Sequence, residues 1–258
     1  MRSTQPPRAR HVAAAPLAAL LAVLLAGCAG VQLSGNTVGT GSGSSVGVAG
    51  DLQTETGRQS HPEQITRLEI DSDSGDVVVR PGAGRGAVVQ HTLRWSGTKP
   101  ELTEVVQDGA LRITARCPDG DGDGGDRCQA DLTVTVPAAT AVRTQLGAGG
   151  ITVSDLAGDQ DLGSSAGTVT ASGLRAPTVT ARSRAGAVEL EFAAPPQSVD
   201  AESSAGAVRV FVPREGPVYR VQATTNAGKV DVQVPDDPGA GPGITARSSA
   251  GSVTVGYR

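Results

Sequence analysis

The chain has 258 residues, with 22 Lys and Arg against 26 Asp and Glu and a formal net charge of −4. That balance lacks the electrostatic footprint of a nucleic-acid binder, or of a protein that docks on anionic lipid through a basic patch. Glycine (35) and proline (16) are abundant, and the aromatic residues are only Trp95, Phe192, Phe211, Tyr219 and Tyr257. A core made from this chain must therefore be thin and built largely from Val and Ala.

The first segment is a targeting element rather than part of a fold. Arg2, Arg8 and Arg10 form a positive start, and "AAAPLAALLAVLL" follows as an apolar run, too short for a comfortable membrane span. It ends in "LAGC", Leu25 to Cys28, which resembles the lipobox of bacterial lipoproteins. The resemblance implies cleavage after residue 27, a thioether-linked diacylglycerol on Cys28 and acylation of the new N-terminus. Two or three acyl chains hold a protein stably on a membrane, where one does not. Without residues 1–27 the chain keeps 19 basic and 26 acidic residues, a formal charge of −7. Residues 28–64 are rich in Gly, Ser and Thr and read as a flexible tether, with weak strand character in "VQL" and "VGV".

Period-two alternation sets in at "ITRLEIDSDSGDVVVRPG". Leu68, Ile70, Ser72 and Ser74 share one parity; after Gly75, Val77 and Val79 take the other. The same grammar returns around Gly149, Gly167, Gly186, Gly206, Gly228 and Gly251. Before each glycine stands a column of small residues, such as Val199, Ala201, Ser203 and Ala205; after it stands a Val column, such as Val208, Val210 and Val212. From Gly149 onward the corner glycines are 18, 19, 20, 22 and 23 residues apart, the mark of a repeat array. "AAPPQ", "PREGP" and "PDDPGAGPG" between the units are turn chemistry.

Two all-β architectures satisfy this pattern. The units can coil as ~20-residue rungs of a parallel β-helix, with like residues stacked in columns. Alternatively each glycine opens a two-residue hairpin loop, for example Gly206-Ala207, and the units form an antiparallel meander or sandwich. Recurrence of one residue type in one column favours stacking. Residues 80–137 interrupt the array and read as a small β insert in which Asp108-Gly109 signals a hairpin. The repeat domain as a whole spans 65–258, and its far end, at Tyr257-Arg258, is expected to leave open strand edges that favour self-association.

With Cys28 assigned to lipid, Cys117 and Cys128 remain as a disulfide pair for an oxidising compartment. They bracket "CPDGDGDGGDRC", whose Asp119, Asp121 and Asp123 are weak calcium candidates beside Asp126. The bidentate Glu that closes such a loop is missing; Ala130 stands there. A solvated acidic loop is the simpler expectation. Asp155, Asp159 and Asp161 lie in turn chemistry rather than as a catalytic carboxylate pair. His61, in the expected tether, and His91, in a strand, have no positioned nucleophile. Trp95 reads as core or cap rather than as a carbohydrate platform.

"DSDSGDVVVRPG", Trp95, the "CP…C" pair, "LTVTVP" and the series "SSAGTV", "SRAGAV", "SSAGAVRVFVP", "TNAGKVDVQVP" and "SSAGSVTV" together resemble bacterial lipoproteins of the putative-adhesin family, of unknown function. The resemblance covers about residues 65–258 and implies a β-solenoid-like fold on an envelope-facing protein. The expectation is a lipid-anchored, non-enzymatic binding or scaffold module at the extracytoplasmic face of the cell membrane. It needs no cofactor, and its partner is an envelope protein or a glycan. A sensor or accessory subunit of an envelope-stress system is a second reading. A polysaccharide-acting β-helix enzyme is a third; it needs a cleft of matched charge, and the outward residues Glu189, Arg209, Asp231 and Thr254 vary in sign.

Overall fold

The structure, a computed structural model, describes residues 45–49, 52–118 and 127–258. Cys28, the leader and Asp119, Asp121 and Asp123 lie outside the described residues. Within them the period-two alternation becomes strand throughout, and no helix occurs. The strands begin with β1 (Ser45–Ala49), β2 (Leu52–His61), β3 (Arg67–Ser74), β4 (Val77–Pro81) and β5 (Ala87–Trp95). They continue with β6 (Glu101–Gln107), β7 (Ala110–Arg116), β8 (Cys128–Val136), β9 (Ala141–Ala148) and β10 (Ile151–Ser154). Next come β11 (Gln160–Ala166), β12 (Val169–Leu174), β13 (Thr178–Ala185), β14 (Val188–Phe192) and β15 (Ser198–Ala205). The last are β16 (Val208–Val212), β17 (Arg220–Ala227), β18 (Val230–Val232), β19 (Gly243–Ala250) and β20 (Val253–Tyr257).

These strands form two mixed sheets. The larger runs β1-β2-β5-β8-β4-β10-β12-β14-β16-β20-β18, and the smaller β17-β19-β15-β13-β11-β9-β3-β7-β6. Each corner glycine separates a strand of the smaller sheet from a strand of the larger. Gly206, between β15 and β16, therefore does not close a hairpin: β15 pairs in parallel with β13 and β19, and β16 with β14 and β20. The antiparallel meander fails for the repeats. Antiparallel pairing is confined to β1–β2, β2–β5, β5–β8 and β6–β7.

The ladders align the units column on column. Ala181, Ala201, Ala246 and Ala223 are successive partners in the smaller sheet, and Val188, Val208, Val253 and Val230 in the larger. The inward faces meet in one core running from Ile65 to Val255, in which Val77, Ile151, Val169, Val188, Val208 and Val253 are fully buried. Stacked backbones ~4.8 Å apart leave little room at the corner. The corner glycines have φ between +123° and +157°, and a Cβ on Gly206 would sit 2.3 Å from the Gly186 carbonyl oxygen. Only glycine fits such a position without strain.

The serine column has its own cause. Ser203 is buried, and its hydroxyl donates to the Gly186 carbonyl at 2.8 Å. Ser164, Ser183 and Ser248 donate in the same way to Gly149, Gly167 and Gly206, and Thr225 to Gly251. A buried hydroxyl is retained where it satisfies a carbonyl that the turning chain leaves without a ladder partner.

Unit order in space departs from order in sequence at both ends. β7 and β8 stack outside β3 and β4, and the chain then crosses back so that β9 and β10 continue on the other side. At the far end β19 and β20 insert between β15–β16 and β17–β18. The open edge is thus β17–β18 and not the unit that ends at Arg258. Val230 and Val232 on it are 47% and 39% exposed. The following linker covers part of this edge: Asp236 accepts from the Val221 N–H at 2.8 Å, and the Asp237 N–H donates to the Tyr219 carbonyl at 2.9 Å.

Two expected boundaries move. Residues 52–61, read as tether, form β2 in full register with β5, from Gln53↔Trp95 to His61↔Ala87. Their polar alternation has no apolar face for a sequence pattern to detect. Residues 80–137 are no separate insert either, because β7 and β8 extend the two sheets in parallel with β3 and β4. Asp108 and Gly109, at φ 51° and 73°, close the two-residue loop between β6 and β7.

Candidate functional site

The larger sheet outruns the smaller at one end. β7 and β8 extend the two sheets together; beyond them the smaller sheet adds only β6, while the larger adds β5, β2 and β1. The inner face of β2 therefore looks onto the rim of β6 instead of onto a core. Register defines that face: Glu55, Gly57, Gln59 and His61 stand opposite Leu93, His91, Val89 and Ala87. Val89 and Ala87 still belong to the main core. Leu93, Trp95, Ala115 and Ala130 form a small second core, in which Trp95 is 5% exposed. Trp95 is accordingly packing material and no platform.

Under the overhang lies a cleft of about 310 Å³. Its polar lining comes from β2, β5, β6 and the 96–100 loop: Glu55, Arg58, Gln59, His61, His91, Lys99 and Glu104. Leu93, Pro100 and Leu102 supply apolar wall. Two pairs bridge it. His61 Nε2 donates to Glu104 Oε2 at 2.7 Å, both side chains 11% exposed, and the Lys99 ammonium donates to Glu55 Oε2 at 2.7 Å. The Lys99 Nζ also lies 5.7 Å from the Trp95 ring centroid, within cation–π range. The His91 ring lies across Gly57, where a Cβ would come within 2.4 Å of Cε1 and Nε2. Its Nδ1 is buried without a hydrogen-bond partner, which costs about 1–3 kcal/mol unless something supplies one.

Among the described residues no serine, threonine or cysteine lines this cleft. The cleft gathers donors, acceptors and an aliphatic wall around one space, the make-up of a ligand pocket. The sequence pattern does not reveal it, because the stretch with His61 is polar throughout and because Glu55, His61, His91 and Glu104 converge only through strand pairing.

Other singled-out residues fall elsewhere. Cys117 and Cys128 are joined, with Cα atoms 5.8 Å apart. The bond spans the step from β7 to β8, the place a corner glycine holds in other units. Arg116 beside it donates to Asp71 at 2.5 Å and to Asp73 at 3.0 Å, and the Cys117 N–H donates to Asp73 at 2.9 Å. The Arg116 hydrogen bond holds the Asp71 carboxyl below its usual value. Asp155, Asp159 and Asp161 do not act together: Asp155 has φ 54°, Asp159 accepts from the Thr178 N–H, and Asp161 faces Arg143 at 3.7 Å. Glu189 and Arg209, outward on β14 and β16, form an ion pair, so their change of sign is cross-strand pairing. Among the described residues no cluster of three or more His, Cys, Asp or Glu is arranged to hold a metal. Among them, too, no helix is long and apolar enough to cross a membrane.

No family model and no curated protein matches the chain. Solved structures do. A putative cell adhesion protein from Clostridium sporogenes ATCC 15579 superposes with a TM-score of 0.51 at 12% identity, over 78% of this chain and 99% of that one. A putative adhesin from Bacteroides fragilis NCTC 9343 has a TM-score of 0.45 at 14% identity, over 79% and 97%. A putative lipid binding protein from Parabacteroides distasonis ATCC 8503 has a TM-score of 0.38 at 12% identity, over 80% and 96%. The first likeness places the chain by fold: its all-β fold is that of the putative cell adhesion protein.

Proposed function

We propose that the protein is a cell-envelope lipoprotein, anchored through Cys28 at the extracytoplasmic face of the membrane, that works as a non-catalytic, adhesin-like binding module. In this reading the two sheets are the walls of a repeat solenoid, and the units from β3 to β20 are its rungs. The observation that carries the proposal is the recognition cleft under the overhang, set at one end of a stiff stack of parallel ladders. The stack supplies a rigid body that presents the cleft, and the fold likeness to a putative cell adhesion protein supports an adhesive role. The lipobox-like "LAGC" and the disulfide support export to an oxidising compartment.

The test has two arms. In bacterial cells making the full chain, labelled palmitate is expected on the wild type and absent after Cys28→Ser, with the variant moving from the membrane to the soluble fraction. An unlabelled wild type refutes the anchor. Fluorescent beads carrying the full-length protein are expected to bind immobilised envelope polysaccharide, and beads that bind no envelope component refute the adhesive role.

A further inference from the structure

We propose that the cleft between β2, β5 and β6 takes one uncharged sugar residue of a glycan. The inference rests on the reading of the protein as a binding module and names the ligand class of its cleft.

Charge balance comes first. Lys99 is ion-paired with Glu55, and His61 is hydrogen-bonded to Glu104, so the Lys99 charge is already spent on a carboxylate and is not free for a phosphate or sulfate. Two carboxylates facing the same space repel an anion directly. Arg58 also lines the cleft, but it is exposed and screened by solvent. Valence comes second. Glu55 accepts from Lys99 and Glu104 from His61, each carboxylate keeps acceptor capacity, and Lys99 keeps further donors. Carboxylate and ammonium side by side match adjacent hydroxyls of a pyranose, each of which can donate and accept, through charge-assisted bonds. His91 lines the same space, so its imidazole resonances report a ligand bound there. Shape comes third. About 310 Å³ holds a single ring, with Leu93, Leu102 and Pro100 against its C–H face. An amphiphilic ring with hydroxyls around its rim fits this lining better than a wholly apolar or a fully ionised ligand does.

The experiment titrates the full-length, detergent-solubilised protein with glucose, galactose, mannose, N-acetylglucosamine, glucuronate and inorganic phosphate, following the His61 and His91 imidazole resonances by NMR. At least one neutral sugar is expected to shift the His91 signals with millimolar affinity, as one small ring allows. Glu104→Gln and Lys99→Met are each expected to weaken it tenfold or more. Shifts with glucuronate or phosphate alone, or none with any neutral sugar at 50 mM, overturn the proposal. Lys99 is half exposed, so Lys99→Met keeps the test valid should Glu104→Gln unfold the chain. Beads with the Lys99→Met protein separate the two readings. If they hold envelope polysaccharide as tightly as the wild type, the cleft assignment fails and the binding module stands. If wild-type beads hold nothing, the binding module itself fails.

Discussion

At the residue scale the stack depends on small groups that turn the chain without widening it. Gly206 is the clearest case, because φ +154° and the Gly186 carbonyl both exclude a side chain. Gly206→Ala is expected to lower stability by about 3 kcal/mol through backbone strain and displacement of a neighbouring unit. The urea midpoint measures it, with Ser204→Ala on the exposed side as a neutral reference. Asp71 is a second case. Its folded pKa lies below the ordinary value of about 3.9 because Arg116 hydrogen-bonds the carboxylate. The sign follows from linkage: the contribution is complete above the unfolded value and is lost as pH falls through the folded one. The pair is largely exposed, so the effect is small and weakens with salt. In Arg116→Gln the Asp71 titration is expected to move up towards the ordinary carboxyl value, read by carboxyl NMR. An unmoved titration removes Arg116 as the cause.

At the element scale the disulfide and the polar strand matter most. The Cys117–Cys128 bond closes a segment with a sequence separation of 11 and brings β7 and β8 to a corner that a single glycine makes elsewhere. By the chain-entropy estimate such a closure contributes about 3 kcal/mol. The Cys117→Ala/Cys128→Ala protein is expected to lose that much in denaturant unfolding; full retention means that Arg116, Asp71 and Asp73 hold the corner unaided. β2 shows how far element reading from sequence reaches. Strands whose inner residues are Val, Leu and Ile announce themselves by alternation, as "LEI" and "LTVTV" do. β2 turns Glu55, Gly57, Gln59 and His61 inward, and residues chosen for a cleft resemble residues chosen for solvent. The candidate site is hidden for the same reason, because His61 and His91 meet only through the pairing of β2 with β5.

At the scale of the whole molecule the non-sequential placement of β19–β20 has a measurable consequence. β17 and β18 pair in the sheets only with β19 and β20. Deleting residues 243–258 removes the layer between β16 and β18, not a terminal appendage. Hydrogen exchange is expected to show Arg220–Val232 losing protection as well, while Ser198–Val212 keep their pairing to β13 and β14. Retained protection at Arg220–Val232 would mean that β17–β18 can dock directly on β15–β16. The observed order suits an edge, since β18 has three residues and β20 five. The shorter strand outermost leaves fewer backbone groups unpaired.

The amino-acid sequence alone determines the all-β class, the corner glycines and which residues belong to which column, because period two and a change of parity are local properties of the chain. It does not determine which unit stacks on which. Ala201 meets an alanine whether its neighbour is Ala223 or Ala246, and Val208 meets a valine in Val230 or Val253, so the columns carry no address. Only the tertiary structure decides that order, together with the overhang and the meeting of His61 with Glu104. Those outcomes depend on how the linkers reach and on which edge is cheapest to leave open, and both are properties of the assembled stack.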